Sequence, residues 1–158
     1  MATPAPASRP APAVRPATAG DCPGAAAMVR RAFALQVAPG LPPEGEATFR
    51  AIADARALEE RLATGSRAWV AVAEDGRVVG YAEREGTHLY LLFVHPEHQR
   101  RGIARRLLAA AVAGIPGATV TVHATAYALP AYTRLGFRVT GPAFTRGGLT
   151  ATPMALHP

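Results

Sequence analysis

The chain has 158 residues, 49% of them apolar, and a formal net charge of +6 that comes from 17 arginines and 11 acidic residues, with no lysine. Such a length suits one compact domain with a core of its own, and no uncharged apolar run approaches the roughly 20 residues of a membrane-spanning helix, so no membrane partner is expected. Cys22 stands alone, which excludes an intramolecular disulfide and a multi-cysteine metal site and points to a cytoplasmic home.

Residues 1–12 carry Pro4, Pro6, Pro10 and Pro12 among alanines. They lack the continuous apolar stretch of a signal peptide and read as a flexible tail ahead of a single domain over 13–158. A short strand is expected at Ala13 to Pro16, and Thr18 or Asp21 would cap a helix reaching about Gln36. Pro39, Gly40, Pro42, Pro43 and Gly45 mark a loop, after which a second helix reads from about Ala47 to Ala63, ended by Gly65. Strands follow at Ala68 to Ala73 and Arg77 to Glu85, either side of the turn Glu74-Asp75-Gly76, and then at His88 to Val94. A third helix is expected over Gly102 to Ala113, a fifth strand over Thr119 to His123 and a fourth helix over Ala126 to Leu135. Phe137 to Thr140 and Thr150 to Leu156 read as the last two strands. This order predicts a mixed, mostly antiparallel α/β fold: a central sheet of about six to seven strands with about four helices on both faces.

The most informative segment is the join between the fourth strand and the third helix, Gln99-Arg100-Arg101-Gly102-Ile103-Ala104. Pro96 stops the strand, and Ile103, Ala104, Leu107, Leu108, Ala111 and Val112 form a 3.6-residue stripe. Gly102 lets the turn curl and lets backbone approach a ligand oxygen. The first N–H groups of the helix lack intrahelical partners and carry the positive end of its dipole, a setting that suits a pyrophosphate. Arg100, Arg101, Arg105 and Arg106 add charge at the rim. The other arginines are scattered along the chain, so this cluster fits a small polyanion better than nucleic acid.

These residues resemble the GNAT superfamily of acyl-CoA-dependent N-acyltransferases. Its loop Gln/Arg-x-x-Gly-x-Gly/Ala is matched by Gln99, Gly102 and Ala104 after Val94-His95-Pro96, and its downstream motif by Ala128, Tyr132, Gly136 and Phe137. The resemblance covers roughly residues 14 to 156. It implies that the fourth and fifth strands splay apart and that the pantetheine arm of coenzyme A lies in the gap against main-chain atoms of Phe93 and Val94. Gln99, Arg100, Arg101, Gly102, Ile103, Ala104 and Arg105 would then form the pyrophosphate loop. It implies Tyr132 as the general acid that protonates the leaving thiolate. Many relatives carry Asn where this chain has Thr125, a shorter side chain for the same cofactor contact.

Relatives often place a carboxylate base on the fourth strand, where this chain has Tyr90. His88 and Glu83 are the candidates for that role, with Glu85 and His123 also in reach; Glu83 and Glu85 otherwise read as solvated strand-face charges. His95 and His98 read as turn residues, since zinc needs at least three protein ligands, and no metal is expected. The resemblance implies transfer of acetyl from acetyl-CoA, as co-substrate, to a primary amine of a small molecule, peptide or protein by direct attack in a ternary complex. A non-catalytic acyl-CoA sensor is the alternative, and a homodimer is left open.

Overall fold

The computed structural model describes residues 1–5 and 9–158, so part of the expected tail, residues 6–8, lies outside the described residues. In chain order the elements are strand β1 (Ala13–Pro16), helices α1 (Cys22–Gln36), α2 (Pro43–Ile52) and α3 (Ala55–Ala63), and strands β2 (Arg67–Val72), β3 (Val78–Glu85) and β4 (His88–Val94). Helix α4 (Ile103–Ala113), strand β5 (Val120–Ala124), helix α5 (Leu129–Arg134) and strands β6 (Arg138–Val139), β7 (Phe144–Arg146) and β8 (Leu149–Leu156) complete the chain. The sheet runs β1-β2-β3-β4-β5-β8-β6, with β7 paired to β8. Every pairing is antiparallel except β4 with β5.

The mixed, mostly antiparallel class is as the sequence predicts, with three departures. The single helix expected over Ala47 to Ala63 is two helices. Pro43 fits the first turn of α2, where its missing N–H costs nothing. Ala53 ends α2, and the Asp54 side chain accepts hydrogen bonds from the N–H groups of Arg56 at 3.0 Å and Ala57 at 3.4 Å to start α3. The sheet has eight strands rather than six or seven, because β7, three residues long, is too short to show an alternating pattern. Helix α5 starts only at Leu129, with Pro130 in its first turn, so the proline begins the helix instead of kinking it.

Two apolar layers sandwich the sheet. On one face α1, α2 and α3 bury Val29, Phe33, Phe49 and Leu58 against Val70, Tyr81 and Leu91. On the other, Ile103 and Leu107 of α4 pack on Val79 and Ala82, while Leu108 and Tyr132 pack with Leu89, Val122, Phe137 and Met154. The helical stripe read from the sequence is the buried face of α4: Ile103, Leu107, Leu108 and Ala111, with each large side chain contributing about 1.5–3 kcal/mol. Contact is close enough that a Cβ on Gly80 would lie 2.9 Å from Leu107 Cδ1 and 3.0 Å from Ile103 Cγ2. Helix α4 therefore has a fixed seat on β3, and with it the loop that precedes it.

The sheet forks at its centre. Strands β4 and β5 share only the rungs His88↔Thr121 and Leu89↔Val122. Beyond them β4 stays with β3 as far as Gly80↔Val94. The β3–β4 register slips between Glu83↔Leu91 and Arg84↔Leu89, which leaves Tyr90 as an extra residue on β4. Such a bulge bends its strand and sharpens the local twist, and here it stands where the two parallel strands part.

Candidate active site

The arm of the fork formed by β4 leads into the loop singled out in the sequence. Arg100 has φ 63° and Gly102 φ 75°, so two residues in the left-handed region fold the turn back on itself. Gly102 then caps α4, and its carbonyl accepts from Arg106 N–H at 3.1 Å. The N–H groups of residues 100 to 105 have no protein acceptor among the described residues. Successive backbone donors in such a turn at a helix N-terminus make an anion cradle. A Cβ on Gly102 would meet nothing within 4 Å, so the concavity is open toward solvent.

The side chains of the loop divide between holding it and rimming it. Gln99 exchanges two hydrogen bonds with Gln36 at the end of α1, at 2.8 and 3.0 Å, and donates to the Val94 carbonyl at 3.0 Å. Its amide thus fastens the loop to β4 and α1. Arg100 and Arg101 are exposed at the rim. Arg105 donates to the Arg134 carbonyl at 3.3 Å, and Arg106 to the Pro12 carbonyl at 2.6 Å, so these two tie α4 to neighbouring segments. His95 Nδ1 accepts from Glu97 N–H at 3.1 Å and sets the turn after β4. No cluster of three or more His, Cys, Asp or Glu side chains is arranged to hold a metal ion among the described residues.

The other arm, β5, leads through Thr125 to α5 and Tyr132. Thr125 turns inward: its carbonyl accepts from Ala128 and Leu129 at 3.0 Å, and its hydroxyl accepts from Ala128 N–H at 3.3 Å. Tyr132 is buried, packs edge-on against Phe137 with centroids 5.3 Å apart, and shares a cluster with Leu89, Val122 and Ala124 at the fork. Its hydroxyl makes no hydrogen bond to another described residue. Burial pushes the phenol well above its ordinary pKa, so it holds its proton throughout the neutral range.

The geometry agrees with three comparisons. A family profile described as "Acetyltransferase (GNAT) domain" matches residues 37–158. This chain belongs to the GNAT family. It is 35% identical over 74 residues to the peptidyl-lysine N-acetyltransferase YjaB of Salmonella typhimurium, a stretch covering 46% of this chain and 51% of that protein. The chain therefore spans about half the length of that relative. Its fold is similar to a crystal structure of a GCN5-related N-acetyltransferase from Rhodopseudomonas palustris, at TM-score 0.79 and 25% identity over 94% of this chain and 97% of that one. It is also similar to the PaiA N-acetyltransferase of Thermoplasma acidophilum, solved in complex with coenzyme A, at TM-score 0.75 and 18% identity over 92% and 98% of the two chains.

Within this GNAT fold the two candidate bases occupy different surroundings. Glu83 is fully buried, which overturns its reading as a solvated charge. Its carboxylate accepts from Arg61 Nε at 2.6 Å, Arg61 Nη2 at 3.0 Å and the Tyr81 hydroxyl at 2.9 Å. The Arg61 guanidinium lies 4.9 Å from the centre of the Tyr90 ring. Arg61 and Tyr81 were not expected to partner Glu83; Arg61 is 22 residues away, and no local spacing rule links a helix residue to a strand residue that far along the chain. His88, by contrast, sits at the fork with Nδ1 2.8 Å from Thr121 Oγ1, and its ring centre is 4.6 Å from that of His123.

Proposed function

We propose that the chain is an acetyl-CoA-dependent N-acetyltransferase, with residues 13–158 acting as one acyltransferase domain, and that it delivers acetyl to a primary amine by direct attack in a ternary complex. The observation that carries this reading is the row of open backbone donors at residues 100 to 105, set at the end of one arm of a forked sheet. Donors left without a partner beside a helix N-terminus favour a pyrophosphate, and Arg100 and Arg101 add attraction for a polyanion. Residues 90 to 94 have no β5 partner, so main-chain groups on that edge of β4, such as the Val94 N–H, can pair with the amide groups of a pantetheine arm. Gln99 acts one step removed, by holding the Val94 carbonyl and the loop in place.

Tyr132 serves as the general acid. A phenol kept protonated by burial beside the fork can hand its proton to a departing thiolate, while holding amine and thioester together supplies much of the rate. The peptidyl-lysine acceptors named for YjaB make a lysine side chain the first amine to try.

The test is a thermal-shift titration with acetyl-CoA followed by release of free thiol in the presence of a lysine-bearing peptide and of spermidine. A ligand at a hundred times its Kd stabilises by about 2.7 kcal/mol, so a clear rise in Tm and amine-dependent thiol release are expected. A rise in Tm without thiol release from any amine supports the sensor alternative, and no rise removes the cradle as the basis of the reading.

A further inference from the structure

Resting on that reading, we infer that the proton of the acceptor amine passes to a pair of imidazoles, His123 with His88 behind it, standing at the vertex of the fork on the sheet face opposite Tyr132. The last rung between the arms is Leu89↔Val122, so His123 is the first β5 residue beyond it. Leu89 and Val122 turn toward the cluster that holds Tyr132. Strand alternation sends Thr121 and His123 the other way, as the exposed–buried pattern of β5 shows. His88 joins them there through its bond to Thr121 Oγ1 at 2.8 Å and its ring contact with His123 at 4.6 Å. The imidazoles and Tyr132 therefore lie on opposite faces of the sheet at the fork.

The β7–β8 hairpin roofs His123. His123 packs edge-on against Phe144 of β7, centroids 4.9 Å apart. The turn that follows β7 is bolted to α2: Thr48 Oγ1 donates to the Gly147 carbonyl at 2.6 Å, and a Cβ on Gly45 would fall 2.4 Å from the Gly148 carbonyl oxygen. The hairpin is thus held over the imidazoles rather than free to swing away. His123 itself is exposed, so a proton it accepts can leave to water.

Glu83 does not compete for the role. Its carboxylate already accepts three hydrogen bonds, two of them from the Arg61 guanidinium, and with no exposed surface it has no route to the acceptor or to water.

The charged groups around the imidazoles set their ionisation. Burial, followed by the neighbouring His123, lowers the pKa of His88, and Glu85 on β3 opposes this. Partial desolvation of the ring and then Arg146 on β7 lower that of His123. Both shifts favour the neutral ring, the form able to accept a proton.

The step balances. The acceptor ammonium gives one proton to His123, and its freed lone pair forms the N–C bond to the thioester carbon. The C–S bond then breaks, the sulfur keeping the pair and taking the Tyr132 proton. The remaining excess proton on nitrogen replaces the one the phenol gave, and the imidazole returns its own to solvent.

The experiment is a pH profile of kcat for wild type, His123→Gln, His88→Gln and Thr121→Val, with spermidine and a lysine-bearing peptide as acceptors and acetyl-CoA stabilisation measured alongside. A positioned general base contributes at least about a hundredfold. His123→Gln is expected to lose about that much in kcat and to lose the acidic limb expected of wild type below the ordinary imidazole range, with its KM for acetyl-CoA and its Tm shift unchanged. His88→Gln and Thr121→Val are expected to move the limb and to cost less than about tenfold, because they act through His123. Added imidazole should restore part of the turnover of His123→Gly. A His123→Gln variant that keeps wild-type kcat and limb overturns the inference while leaving the transferase reading intact. A wild-type chain stabilised by acetyl-CoA that acetylates neither amine overturns both.

Discussion

Each arm of the fork runs into a helix, and the two joins treat their backbone donors differently. After β5, the turn closes on itself, with Thr125 accepting from Ala128 through both carbonyl and hydroxyl and from Leu129 through the carbonyl. After β4, Arg100 and Gly102 adopt left-handed backbone, and the donors from 100 to 105 are left unpaired. Left-handed backbone at a non-glycine residue costs roughly 1–2 kcal/mol, and Arg100 carries it with no internal hydrogen bond in return. The contrast marks where a partner from outside the chain would belong: the β5 join closes on itself, and the β4 join leaves its donors open among the described residues.

Three substitutions separate that contrast from general damage. The largest effect is expected from Glu83→Ala, which leaves Arg61 and Tyr81 facing an empty buried site on β3, away from both joins in the chain. Breaking a buried pair from one side costs about 3–5 kcal/mol. Urea unfolding should show that loss, while the molecules still folded bind acetyl-CoA as before. Next comes Gly102→Val. The chain itself leaves space for a side chain there, so the damage comes from left-handed strain and from a side chain standing in the cradle. Acetyl-CoA affinity measured by calorimetry should fall about a hundredfold, or 2.8 kcal/mol at about 1.4 per decade. Unchanged affinity would mean that the open donors are not the anchor, and the contrast between the joins would lose its meaning. Tyr132→Phe should lower kcat about a hundredfold with Tm and acetyl-CoA affinity held, since the ring keeps its contact with Phe137 and the hydroxyl has no protein partner to lose. A fall in Tm instead would make Tyr132 a packing residue.

The open turn at Gly102 and the helix that carries Tyr132 were legible because their signals are local: a glycine between a strand and a helical stripe, and a short motif ending in Gly136-Phe137. The class of the sheet followed from the order of alternating segments. What stayed hidden depends on pairing. The Tyr90 bulge exists only relative to β3, so nothing within β4 marks it. Glu83 looked solvated because its partner Arg61 arrives from a helix packed across the sheet. The histidine pair was half visible: His88 and His123 were both candidates, but their contact requires the parallel register of β4 and β5. The break between α2 and α3 did have a local signal in Asp54, a strong capping residue inside what read as one helix.

The smallest effect gives the finest test of the contrast, at Thr125. Its hydroxyl bond to Ala128 is long, 3.3 Å, so Thr125→Ala should cost about 0.5–1 kcal/mol, the low end for a lost cap, read as a small drop in the urea midpoint. If the β5 join is complete within the chain, this loss is confined to folding, and acetyl-CoA affinity stays within about twofold of wild type. If Thr125 instead turns its hydroxyl to the pantetheine arm, as the Asn of many relatives would, Thr125→Ala should weaken binding by about 0.5–1.5 kcal/mol, the usual worth of one hydrogen bond, and Thr125→Asn should strengthen it. The sign of the Asn effect decides the matter, because Asn caps turns about as well as Thr and so changes the binding term while leaving the folding term nearly alone.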